Sequence, residues 1–135
     1  MSAYDPFPEI DESIRTFLLD YDDISDLVGT RVFYYRVPLI KGKEPDVPLI
    51  VFNRAGGVYG RYRYFFRVRA KDMATLALLR RAVIRRLHSP MNLPTGENIT
   101  EVTIEGQFGD TSDETLGWFE SSMYVNIEIM EAQYI

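Results

Sequence analysis

The chain contains no cysteine. Disulfides, thiolate nucleophiles and cysteine-ligated zinc or iron–sulfur sites are thereby excluded. It contains one histidine, His88, so a zinc site built on two or three histidines cannot form within one chain. No stretch approaches the ~18 consecutive apolar residues of a membrane-crossing helix. The first residues, Met1-Ser2-Ala3-Tyr4-Asp5, are acidic and lack the apolar core of a secretory signal. Neither membrane insertion nor signal-directed export is expected, which leaves a soluble intracellular or particle-associated protein. What is present suffices for folding. With 135 residues, 46% apolar and 13% aromatic, the chain is too hydrophobic to be disordered and has the length of one domain, read as spanning residues 1–135.

Charge is unevenly placed: each sign is concentrated in part of the chain and scarce in the rest. Residues 1–30 sum to −7, residues 31–90 to +11, and residues 91–135 to −9 with no lysine or arginine at all. The net charge of −5 hides this segregation. Either the basic middle pairs with the acidic ends inside one fold, or part of the polarity faces outward. Outward polarity suits head-to-tail contacts between identical subunits, or a basic patch against nucleic acid. No end of the chain is a basic arm, which argues against a free-standing DNA-binding protein.

Hydrophobic spacing predicts the elements. Ile10, Ile14, Phe17, Leu18 and Tyr21 recur at helical period over residues 8–20, with Pro8 and acids in the first turn. A short helix follows, capped by Asp22 or Asp23, carrying Ile24, Leu27 and Val28 and stopped by Gly29. Residues 31–37 read as a strand, 38–48 as a long polar loop, 49–54 as a buried strand and 55–60 as a flexible glycine-containing turn. Residues 61–71 alternate strictly, with Tyr62, Tyr64, Phe66, Val68 and Ala70 on one face. Arg61, Arg63, Phe65, Arg67, Arg69 and Lys71 occupy the other. Asp72 caps a second long helix, 73–88, whose buried stripe is Met73, Leu76, Leu79, Val83, Ile84 and Leu87. After a loop, 99–108 and 116–130 read as strands joined by an acidic connection, 109–115. The order α-(α)-β-β-β-α-β-β predicts an α+β fold: an antiparallel sheet of about five strands with two main helices packed on one face.

The search for catalytic chemistry is negative. Gly56-Gly57-x-x-Gly60 lies between strands and opens no helix, so it is a turn and not a phosphate loop. His88 ends a helix with no nucleophile or orienting acid nearby in sequence. Asp110, Asp113 and Glu114 lack the spacing of a calcium-binding loop. Glu101 and Glu105, four apart on one strand, stand about 13 Å apart at ordinary strand rise, outside the range of glycosidase pairs. No catalytic residue, metal site or cofactor is expected.

The arginine stripe of residues 61–71 is the strongest constellation. Five cations at alternating positions cannot face a dry core unpaired. They can pair across strands with Glu101, Glu105, Glu120 and Glu128, meet acids of a neighbouring subunit, or line a surface that holds nucleic acid. All nine residues are subunit-interface or lumen candidates.

The run Ile24-Ser25-Asp26-Leu27-Val28-Gly29-Thr30-Arg31-Val32, the variable loop after it, Val47-Pro48-Leu49-Ile50-Val51-Phe52, the strand ending Val68-Arg69-Ala70-Lys71-Asp72, the helix through Leu79, Val83 and Leu87, and two closing strands follow one another in a distinctive order. Over roughly residues 10–132 this order resembles the tail terminator proteins of long-tailed phages, also called tail completion or tail-to-head joining proteins. The resemblance implies a non-enzymatic α+β protein that forms a ring, hexameric in this family, on the finished tail tube. That ring stops tube growth and docks the head connector, with DNA passing through its lumen. The implied partners are further copies of the chain, the major tail tube protein, the head-completion or connector protein and transiting DNA, with no membrane. The implied location is the head-proximal end of the virion tail, and the host cytoplasm before assembly. The long loops suit contacts to the layers above and below; Lys41, Lys43, Glu44, Gly56, Gly57 and Tyr59 are the candidates there. Two alternatives stay open: another head–tail connector or stopper ring, and a nucleic-acid-binding module using the basic strand.

Overall fold

A computed structural model of the chain describes residues 7–39, 41–43, 46–58, 61–88, 91–92, 98–113 and 117–130. The elements in order are α1 (Phe7–Leu19), α2 (Asp22–Val28), β1 (Val32–Tyr34), β2 (Leu49–Val58), β3 (Arg61–Ala70), α3 (Met73–Leu87), β4 (Met91–Asn92), β5 (Asn98–Asp113) and β6 (Trp118–Met130). The strands form one sheet in the order β1-β2-β3-β6-β5-β4. The α+β arrangement is the one the spacing predicts.

Several details differ. The sheet has six strands, and its β1–β2 pair is parallel, while the other pairs are antiparallel. The long connection 35–48 explains this, since it lets the chain return to the start of the sheet before β2 begins. β1 also stops at Tyr34, because Tyr35 takes φ 78° and turns the chain away. The expected flexible turn at 55–60 is instead mostly strand: β2 runs through to Val58, with a register irregularity between Arg54 and Gly56. Gly57 sits at φ 129°, and a Cβ there would lie 2.4 Å from the Arg61 carbonyl oxygen, so only glycine allows the hairpin to close this tightly. β5 likewise continues through much of the expected acidic connection, to Asp113. Register irregularities at Ile99/Glu101, Ile104/Gly106 and Gln107/Asp110 absorb the extra residues.

The core lies between the helices and one sheet face. Tyr62, Tyr64, Phe66, Val68 and Ala70 of β3 are buried as the alternation predicts, with Met123, Val125 and Ile127 of β6 beside them. Ile14 and Leu18 of α1, Ile24 and Val28 of α2, and Leu76, Leu79, Val83 and Leu87 of α3 close over them. Met73, expected in the buried stripe, is 44% exposed, because it stands at the first position of α3, before the helix reaches the sheet. The Asp72 cap is present, its Oδ1 accepting the Thr75 N–H at 2.7 Å, which also holds its carboxyl below the ordinary range. α2 differs: Tyr21 is its N-cap and makes no side-chain cap bond, while Asp22 and Asp23 lie in the first turn, where the helix dipole favours acids. Gly29, at φ 63°, ends α2 as expected.

Candidate functional site

The arginine stripe lies on the sheet face turned away from the helices. Register decides its partners. β3 and β6 run antiparallel with Arg61 opposite Glu128, Arg63 opposite Asn126 and Arg69 opposite Glu120. Directly opposed residues share a face at close range, so each arginine meets whatever the other strand offers. Arg61 Nε donates to Glu128 Oε1 at 2.7 Å and Arg69 Nε to Glu120 Oε2 at 2.6 Å. Arg63 reaches one strand further, to Glu105 of β5, with Nη2 at 2.8 Å from Oε2. Asn126, between them, donates Nδ2 to the other oxygen of Glu105 at 2.8 Å. These donors, Asn126 foremost and then Arg63, hold the Glu105 carboxyl below its ordinary range.

Aromatic rings on the same face complete the arrangement. The Arg63 guanidinium stacks 3.8 Å from the centre of the Tyr124 ring, and Tyr124 packs on Phe65 at 4.8 Å. Arg69 lies 4.4 Å from the Trp118 ring. The stripe changes character along its length. At one end the Arg61 side chain is 75% exposed, and at the other Arg69 and Glu120 are only 11% and 16% exposed. Leu49 and Val51, opposite Arg69 and Arg67 in the sheet, are fully buried on this same side. The open end forms a groove of about 510 Å³ whose walls include Gly57, Arg61, Arg63, Thr103, Asn126 and Glu128.

Glu101 stands opposite Glu128 in the β5–β6 register, and its side chain is outside the described residues. Lys71 is exposed just beyond β3, and Lys41 and Lys43 are exposed in the segment after β1. Gly56 and Gly57 belong to β2, opposite Arg63 and Tyr62, and not to a free loop. Glu44 and Tyr59 lie outside the described residues. The structure therefore lines up Arg61, Arg63, Arg67 and Arg69 on β3, pairs Arg61 with Glu128, Arg63 with Glu105 and Arg69 with Glu120, sets Arg67 opposite Ser122, and leaves Lys41, Lys43 and Lys71 apart from these pairs. Among the described residues no group of three or more His, Asp or Glu side chains is placed to hold a metal ion. No helix among them is long and apolar enough to cross a membrane.

Sequence reasoning missed one pair. Asp11 is buried on α1, and its Oδ1 accepts a hydrogen bond from the Tyr64 hydroxyl at 2.8 Å. The signal was available, because Asp11, Ile14 and Leu18 share one helical face. Burial, then the adjacent Asp11 charge, pushes the Tyr64 hydroxyl well above the ordinary tyrosine range. A group whose folded pKa is raised stabilises the fold fully below its unfolded value. Its contribution falls once pH exceeds about 10, by about 1.4 kcal/mol per pH unit until the folded value is reached. Tyr64→Phe is expected to remove this part of the alkaline slope and to cost about 1–3 kcal/mol at neutral pH, because Asp11 loses a donor. Urea melts of both proteins from pH 7 to 11 check both effects.

No protein-family model matches the sequence, and no curated protein matches it. Solved structures do. One chain of a structure described as the virion of a native gene transfer agent (GTA) particle superposes with a TM-score of 0.66 at 13% sequence identity. The match covers 94% of this chain and 98% of that one. The two share a fold over nearly their whole lengths.

Proposed function

We propose that this chain is a structural virion protein of the tail-terminator kind. In this reading six copies form a ring on the end of the tail tube, stop its growth and present the surface that docks the head connector, with DNA passing through the lumen. The observation that carries the reading is the end-to-end likeness of fold to a chain of a gene transfer agent virion. The element order that resembles tail terminators in sequence supports it independently. Its role is assembly and not catalysis, its partners are its own copies, the tube protein, the connector and transiting DNA, and its place is the head-proximal end of the tail.

The geometry of the stripe weighs against the nucleic-acid alternative. Arg61, Arg63 and Arg69 already bond carboxylates within the chain. A phosphate would have to displace those partners before it gained a contact. The test is deletion of the gene in the source particle, with tails imaged by electron microscopy. Over-long, headless tubes, restored to uniform length by the wild-type protein, are expected. Uniform tails joined to heads in the deletion strain would overturn the reading. Tubes of normal length that lack heads would instead place the protein at the connector or stopper ring.

A further inference from the structure

Two places in the fold carry opposite charge at opposite edges of the sheet. Residues 31–43 contain Arg31, Arg36, Lys41 and Lys43 and no acid, and they follow or form the β1 edge. β5 contains Glu101, Glu105, Asp110 and Asp113 and no base. Past Ile99, where β4 ends, no strand pairs with its outer side among the described residues. The rungs of the sheet put the β1 edge level with Asp110 and Gln107 of β5. Val32 opposes Ile50, Ile50 opposes Val68, Val68 opposes Ser121, and Ser121 opposes Asp110. The rung of Tyr34, through Phe52, Phe66 and Met123, ends at Gln107.

The β1 edge itself is closed to strand addition. The Val32 carbonyl accepts Arg15 Nε at 2.8 Å, the Val32 N–H donates to the Thr30 carbonyl at 2.8 Å, and the Tyr34 carbonyl accepts the Arg36 N–H at 3.0 Å. What this edge offers a neighbour is the segment beyond it, where Tyr35 is 67% and Leu39 66% exposed beside the exposed Arg36, Lys41 and Lys43. Tyr35 is pinned there at φ 78°, its N–H donating to the Phe52 carbonyl at 2.7 Å.

We propose that the basic residues following β1, Arg36, Lys41 and Lys43, of one copy lie against the outer side of β5, near Asp110 and Asp113, of the next copy. The contact is heterologous and joins opposite edges, which is the requirement for a closed ring. It rests on the ring reading above and names the surfaces that make the ring. Opposite charge sets partner and register.

The test compares four proteins on purified tail tubes, by electron microscopy and by sedimentation: wild type, Lys41→Glu/Lys43→Glu, Asp110→Lys/Asp113→Lys, and the fourfold combination. Urea midpoints confirm that each variant folds. Each double variant is expected to weaken ring formation at least about tenfold, and the fourfold protein, its charges exchanged, to recover it. Wild-type rings that the double variants form equally well would overturn this contact alone. So would a fourfold protein no better than the doubles; loss of salt-sensitive DNA binding in Lys41→Glu/Lys43→Glu with rings intact would assign the segment to nucleic acid instead. Wild-type chains that stay single beside tubes would overturn the ring reading and this contact with it.

Discussion

Arg69→Ala is expected to destabilise the protein by about 3–5 kcal/mol, against about 0–1 kcal/mol for Arg61→Ala. The two arginines belong to one stripe, face one direction and bond equivalent carboxylates at nearly equal distances, 2.6 Å and 2.7 Å. Only the surroundings differ. Arg61 and Glu128 are 75% and 32% exposed, so water replaces whichever partner is removed. Arg69 and Glu120 are 11% and 16% exposed, with the Trp118 ring on the guanidinium. Removing Arg69 strands a carboxylate that water barely reaches. The cause is tested by Arg69→Met combined with Glu120→Leu, which deletes both charges but retains volume. That double variant is expected to match or exceed wild-type stability, since the pair itself repays little more than its desolvation. Chemical denaturation of the three variants measures this. A loss below 1 kcal/mol for Arg69→Ala would mean that Glu120 is well solvated without it, and that the buried end of the stripe is open enough to serve a partner.

The stripe also shows how far a sequence carries an argument about a site. Alternation through residues 61–71 placed the cations on one face and named the acids opposite them, because strand period depends on nothing outside the strand. Glu105, Glu120 and Glu128 are those partners. The graded burial was not legible, because it depends on Leu49 and Val51 being covered on the same side, which is a property of packing. The parallel β1–β2 pair was hidden for a related reason. Three residues, Val32–Tyr34, carry too little pattern to fix direction, and the left-handed turn at Tyr35 has no glycine to announce it. The first-turn preference for acids accounts for Asp11 without calling for burial, although its spacing to Ile14 and Leu18 puts it on the buried stripe. Gly57 shows the reverse error: glycines suggested a loose turn where the close approach of Arg61 needs a residue without a side chain.

Phe52→Ala is expected to cost about 3–5 kcal/mol, a large share of the ~5–15 kcal/mol that holds a typical domain together. Phe52 is fully buried at the junction of β1, β2 and β3. Its ring stacks on Phe66 at 5.2 Å and tilts against Tyr34 at 5.6 Å and Tyr64 at 6.2 Å. Truncation leaves a cavity that these rings cannot fill, and the stacked pair adds its own loss. Tyr35→Ala, by contrast, removes a ring that is 67% exposed and should change stability by less than about 0.5 kcal/mol. The effect of Phe52→Ala should also be uneven. The Phe52 carbonyl accepts the Tyr35 N–H at 2.7 Å, so the residue that fills the core beneath β1 also anchors the start of the basic segment. Native-state hydrogen exchange should show the Tyr35 amide losing protection beyond the global loss, because β1 is a three-residue edge strand packed on the side of the new cavity. If the basic segment joins neighbouring copies, Phe52→Ala should weaken ring formation even at temperatures where the variant remains folded, and Tyr35→Ala should separate the role of the anchored backbone from that of the ring it displays. Equal protection loss across β1 and β3 would show that the core opens as one unit, with the segment's anchorage independent of Phe52.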